Sequence, residues 1–163
     1  MLLSCGDKDS EPVDNLAEYT STYDIIQGEI WDVSCTSCHV AGSSFARQSD
    51  LVLTSDISYE QLMNRLPNNE AAREDGLVLL GDQGLESIYQ SFLWEKINAQ
   101  DLVHYYEDHP NYGSIMPLGD EYLTNGQLEF IREWSVNGAP KEGCVADVAL
   151  LENEERYAVV SLE

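Results

Sequence analysis

Cys35-Thr36-Ser37-Cys38-His39 is the stretch on which the reading of this chain turns. Two thiols three positions apart can reach the two vinyl groups on one edge of a porphyrin. The imidazole directly after the second thiol then sits beneath the iron as a neutral ligand. The motif therefore predicts one haem c, joined through thioethers to Cys35 and Cys38, with His39 as the proximal iron ligand. Two other chemistries use closely placed cysteines. A thioredoxin-like redox pair belongs in a βαβ setting, and the flanking sequence lacks strand alternation. A zinc site needs ligands beyond the motif, and only His104 and His109 remain to supply them.

Upstream of the motif, Tyr19, Tyr23, Ile26, Ile30 and Trp31 recur at helical spacing, which predicts a helix from near Leu16 to Asp32 running into Cys35. Downstream, Gly42-Ser43-Ser44 reads as a loop. Ser58 to Leu66 reads as a short helix stopped by Pro67, with Met63 as a core residue on its apolar stripe. Residues 67–84 are rich in Asn, Asp and Gly and read as a long excursion. Ser87 to Ile97 predicts a helix with Ile88, Phe92, Leu93 and Ile97 on one side. The stretch carrying His104, His109, Pro110 and Gly113 reads as a loop ending in Ile115-Met116-Pro117-Leu118-Gly119.

The last helix is the best marked. Thr124 and Gln127 make a capping box, and Leu128, Phe130, Ile131 and Trp134 supply apolar positions. Gly138 and Pro140 stop the helix. Helices joined by loops, with little alternation before Tyr157 to Leu162, predict an all-α fold.

The chain has 163 residues, a length that suits one domain. Thirty Asp and Glu against eight Lys and Arg give a net charge of −22. Phosphate backbones and anionic lipids repel such a chain, so nucleic acid is excluded as a partner. The acidity reads in two ways, as the complement of a protein partner with a basic docking face or as a device for solubility, and composition does not separate them. No run of about 18 apolar residues exists to span a membrane.

At the start, Leu2-Leu3-Ser4-Cys5 resembles the end of a bacterial lipoprotein signal, with Cys5 as the lipidated residue. Gly6 to Asp14 then reads as a flexible tether. Residues 1–20 are accordingly a signal remnant and tether, 21–140 the haem domain, and 141–163 a C-terminal extension without assigned structure. Cys144 either pairs with Cys5, if Cys5 carries no lipid, or stays a free thiol. Arg47 and Arg65 are candidate partners for the haem propionates, with Tyr59 and Trp94 as neutral donors.

Over residues 21–140 the chain resembles the monohaem class I c-type cytochromes, and among them the larger bacterial cytochrome c-like domains. Ile30-Trp31 puts an aromatic four residues before the first cysteine of the motif. Ile115-Met116-Pro117 matches the family's distal methionine loop. Leu123, Ile131, Trp134, Gly138, Ala139 and Pro140 match its closing helix and the Gly-Ala-Pro beyond it. The resemblance implies the cytochrome c-like fold, with helices and loops wrapped around one haem, and Met116 as distal iron ligand.

The family's function is single-electron transfer between extracytoplasmic redox partners, in the periplasm or at the cell surface, by a carrier that is not itself an enzyme. Two alternatives are a haem-based ligand sensor and an electron-entry subunit fixed in a larger oxidoreductase complex. The first and last helices are expected to cross closely, with Phe130 or Trp134 against the bare backbone of Gly28. One departure stands out. Cys38 and Met116 lie 78 residues apart, more than in compact members, with the excess around residues 67–112.

Overall fold

Ser21 begins the first long helix. Its backbone is extended and its hydroxyl accepts from the amide of Asp24 at 3.0 Å, satisfying a donor that the first turn leaves free. The helical run that follows, α1, has an α-helical turn over Thr22–Ile26, a π-helical turn over Gln27–Trp31 and an α-helical close over Asp32–Ser34. The computed structural model describes Cys5 and residues 16–157. The expected helix therefore starts late. Among the described residues, a 3-10 turn, Leu16–Glu18, precedes the break at Ser21.

The π turn has a local cause in packing. The chain must bury Ile25, Ile26, Ile30 and Trp31 together, and all four are closed to solvent. A wider turn rotates Ile30 and Trp31 onto the face that Ile26 has already begun. Gln27, in the same turn, is buried and spends its amide on Asp32 Oδ1 at 2.7 Å and the Leu53 carbonyl at 2.8 Å.

Seven more helices follow: α2 Ser44–Ser49, α3 Ser58–Leu62, α4 Glu70–Glu74, α5 Leu85–Tyr89, α6 Phe92–Ile97, α7 Leu102–Asp108 and α8 Asn125–Val136. Among the described residues there are only isolated bridges, Met63 to Leu80, Val78 to Ser91 and Thr124 to Arg156, and no strand. The fold is all-α, as expected. No helix among these residues is long and apolar enough to cross a membrane.

Three elements differ from the sequence reading. The helix expected to run to Pro67 ends at Leu62, because Met63 turns extended and Asn64 takes a left-handed φ of 55° while donating to Leu80 O at 2.7 Å. Met63 is thus a half-buried C-cap rather than a mid-helix core residue. The expected helix over Ser87–Ile97 is broken, since Phe92 and Leu93 give their amides to Val78 and Leu79. The Ser91 hydroxyl caps the new start through Trp94 N. The stretch carrying His104 is not a loop but α7, entered through a 3-10 turn at Ala99–Asp101.

The closing helix α8 matches its expectation in detail. Thr124 and Gln127 form both bonds of the capping box, at 2.9 and 3.0 Å, and Gly138 turns the chain with φ of 91°. It meets α1 through Trp134, whose ring stacks on Tyr23 with centroids 5.3 Å apart. Tyr59 packs edge-on against Tyr23 at 5.0 Å. The crossing does not use Gly28. A methyl there would strike the Tyr19 ring, not Phe130 or Trp134, because Tyr19 folds back to donate to Glu29 at 2.8 Å. The glycine that admits a close approach is Gly126, in the first turn of α8, against the carbonyls of Leu150 and Asn153.

Those carbonyls belong to the C-terminal extension, which is structured after all. A 3-10 turn over Val148–Glu152 lies along α8, and the flanks of Cys144 hold the start of α1. Thr22 N donates to Gly143 O at 3.0 Å, and Val145 N to Thr22 Oγ1 at 2.8 Å. Cys144 is disulfide-bonded to Cys5, with Cα atoms 5.3 Å apart. A sulfur in a disulfide has no valence for a lipid thioether. In place of the lipid expected on Cys5, the structure has the alternative pairing weighed for Cys144. Leu2 to Ser4 and the tether Gly6 to Asp14 lie outside the described residues, as does the strand-like stretch beyond Tyr157.

Candidate functional site

The motif follows α1 without a break in hydrogen bonding. The amides of Cys35 and Thr36 both donate to Trp31 O at 2.9 Å, and those of Cys38 and His39 to Cys35 O at 3.2 and 2.9 Å. These two turns fix Cys35, Cys38 and His39 on one wall of a cavity of about 570 Å³, within the ~300–1,000 Å³ usual for cofactor sites. The cavity is mainly apolar, with Trp31, Leu51, Leu53, Phe92, Leu93 and Ile97 among its walls. Met116, with Pro117 and Leu118, closes another part of it. The structure thus brings all four haem-site residues expected from the sequence onto one cavity. Cys5 is not among them.

His39 is held in a defined state. Its Nδ1 faces the Leu51 carbonyl at 3.2 Å, with the Ser49 hydroxyl at 3.4 Å. A carbonyl only accepts, so the ring proton sits on Nδ1 and the lone pair is left on Nε2. Burial lowers the His39 pKa, which keeps the ring neutral at pH 7. A neutral imidazole with one nitrogen tied to the backbone and the other free is the usual arrangement of a ligating histidine.

Cys35 and Cys38 carry free thiols. Burial, and secondarily the neighbouring Cys38, push the Cys35 thiol up to about 12. A nucleophilic thiol needs the opposite, a thiolate stabilised near neutral pH, so Cys35 is not placed to attack. Nor do the remaining histidines join the motif. His104 pairs with Asp101 in the open at 2.7 Å, and His109 lies flat on Tyr112 with centroids 4.3 Å apart. Neither lines the cavity, and no group of three or more His, Cys, Asp or Glu gathers among the described residues.

Residues 67–112, which make up most of the long separation between Cys38 and Met116, supply cavity wall. Leu79, Phe92, Leu93, Lys96, Ile97 and Tyr112 all come from them. The propionate candidates, by contrast, are employed elsewhere. Arg65 pairs with Asp50 at 2.9 Å, Arg47 donates to the Gly42 carbonyl, and Tyr59 donates to Ala139 O at 2.8 Å. None of them lines the cavity, nor does Trp94.

The cation that does line it is Lys96, which the sequence reading passed over. Its ammonium donates to the carbonyls of Tyr112, at 3.0 Å, and Ser114, and burial pulls its pKa down to about 8. Its own carbonyl accepts from Met116 N at 2.6 Å. Two tyrosines of α7 complete the grip on this loop. Tyr105 OH donates to Gly113 O at 2.9 Å, and Tyr106 OH accepts from Ile115 N at 3.2 Å. One signal in the sequence pointed to Lys96. It is one of only eight basic residues and follows the apolar Phe92 by one helical turn.

The fit of a haem to this site rests on chemistry present in the chain. Two unpaired thiols, a neutral imidazole with a free Nε2 and a thioether share one apolar cavity. Comparisons of the chain with protein-family models, with curated proteins and with solved structures find no match.

Proposed function

We propose that this chain is a monohaem c-type cytochrome that carries single electrons between extracytoplasmic redox partners. The observation that carries the proposal is the meeting of Cys35, Cys38, His39 and Met116 on one apolar cavity, although Met116 lies 78 residues from Cys38. A haem c bound there supplies a one-electron iron centre. Cys35 and Cys38 hold it by thioethers, and His39 offers Nε2 while Leu51 O fixes the ring. Met116 offers a soft sulfur donor suited to iron, which raises the reduction potential relative to a second histidine. The apolar walls exclude water and, with the axial pair, set that potential.

The Cys5–Cys144 disulfide supports an oxidising compartment outside the cytoplasm. The net charge of −22 supports a partner with a basic docking face. The supply of wall residues by the 67–112 stretch favours its use in enclosing the haem over use as a separate docking surface for a larger complex.

An optical redox titration of the holo-protein, with carbon monoxide added to the reduced form, tests the function. A carrier gives one reversible one-electron transition and takes up no carbon monoxide at neutral pH. Ready carbon monoxide binding would replace electron transfer with the ligand-sensor reading.

A further inference from the structure

We infer that Lys96 is a positioning residue for the distal ligand, holding the 112–116 loop so that Met116 stays on the cavity. The inference rests on the haem reading above and adds a residue to it. Lys96 lies in α6, on the cavity wall, and most of its side chain is out of water. An ammonium there is unfavourable unless its protons are used. Among the described residues no carboxylate lies within ion-pair distance of it. What it has instead are the carbonyls of Tyr112 and Ser114.

Those two carbonyls point to the same nitrogen from either side of Gly113. That glycine has φ of 80°, and a side chain there would come within 3.5 Å of the Lys96 nitrogen. The loop is thus wrapped around the ammonium. Two residues beyond Ser114, Met116 returns its amide to the carbonyl of the same lysine. One residue therefore grips the loop at both ends, by its side chain before Met116 and by its backbone at Met116. Hydrogen bonds to a charged donor are roughly twice as strong as neutral ones, so the side-chain half is the stronger restraint. A Met or Leu at position 96 would fill the same wall without desolvating a charge, but would not hold the loop.

The test compares the holo-protein with Lys96→Met, which keeps side-chain length and removes every donor. Haem attachment and helix content are expected to stay as in the wild type. The weak long-wavelength sulfur-to-iron band of the oxidised form should fade, and cyanide should bind the iron about ten- to a hundredfold more tightly. Lys96→Gln, which retains a neutral donor, should fall between, and it serves in place of Lys96→Met if that variant does not fold. Arg65→Met, which removes a cation bonded to Asp50 and Gln61 away from the loop, should change neither readout.

A Lys96→Met protein with the wild-type band and cyanide affinity overturns the inference while leaving the haem reading intact. So does an equal effect of Arg65→Met, which would show general loosening. Wild-type protein without covalent haem would instead end the haem reading, and the inference with it.

Discussion

Replacing Cys144 by serine removes the cross-link to Cys5, and the loss can be sized from the chain. The two cysteines are 139 residues apart in sequence. In the loop-entropy treatment, a closed loop of that length restricts the unfolded chain by about 5 kcal/mol at 25 °C. Removal of native disulfides more often gives ~2–5 kcal/mol, because unfolded chains keep residual structure. The lower part of that range would mean that the strap around Cys144 holds by itself, through Thr22 N to Gly143 O and Val145 N to Thr22 Oγ1.

Urea unfolding of wild type and Cys144→Ser, followed by the haem band and by circular dichroism, measures the difference. Thiol titration of the denatured protein measures the bond itself. The expected results are a midpoint lowered by at least ~2 kcal/mol of stability and no free thiol in the wild type. Equal midpoints together with one titratable thiol at Cys144 would refute the disulfide. That result would return Cys5 to the lipid reading, in which a diacylglycerol thioether occupies its sulfur.

Further outcomes follow from the same geometry. Met116→Ala should erase the sulfur-to-iron band, lower the midpoint potential and open the iron to carbon monoxide, whereas Met63→Ala, at the half-buried end of α3, should leave all three unchanged; optical spectra and a redox titration decide. Gly126→Ala should destabilise by ~1–3 kcal/mol, because its methyl meets Leu150 O and lies 2.7 Å from Asn153 O, and limited proteolysis should nick the extension first. Tyr19 and Tyr23 are both raised to about 12, in each case chiefly by burial and for Tyr19 also by its bond to Glu29. Between ~10, where the unfolded phenols ionise, and that value the unfolded chain has released protons that the fold retains. Tyr59, Tyr105 and Tyr112 are raised too, again chiefly by burial. Stability should therefore fall as pH rises through this window, and a phenolate absorbance titration should show these five groups ionising late, with Glu29→Gln bringing Tyr19 earlier.

The parts of the fold that were legible in the sequence are those set by local chemistry. The start of α8 was readable because Thr124 and Gln127 satisfy each other's backbone, and its end because Gly138 takes a conformation that other residues avoid. In Cys35 to His39 the sequence shows two thiols and an imidazole at a fixed spacing, and the structure places all three on one cavity. The break between α5 and α6 was not, since it is made by the amides of Phe92 and Leu93 pairing with Val78 and Leu79, more than a dozen residues earlier.

Helix α7 was hidden for a different reason. Its seven residues, Leu102–Asp108, carry one apolar turn, Leu102 with Tyr105 and Tyr106. That run is too short to stand out from the His, Asp and Glu around it, and only Tyr105 in the helix is buried. The extension was unreadable because its hold on α8 depends on the bare backbone of Gly126, which looks like an ordinary helix weakness until the carbonyls of Leu150 and Asn153 are placed beside it. Lys96 was passed over because position 96 reads as the polar side of an amphipathic helix. Only the return of the loop at 112–116 turns it into a cavity residue.

The central claim is a covalent haem on Cys35 and Cys38, and the mass of the denatured chain tests it most directly. Protein produced with a haem-attachment system, extracted with acidified acetone and weighed intact, should retain its colour and exceed the polypeptide mass by one haem. The same measurement on Cys35→Ala, Cys38→Ala should give the bare polypeptide. A colourless wild-type chain at polypeptide mass, with all haem in the extract or stoichiometric zinc in its place, would contradict the account.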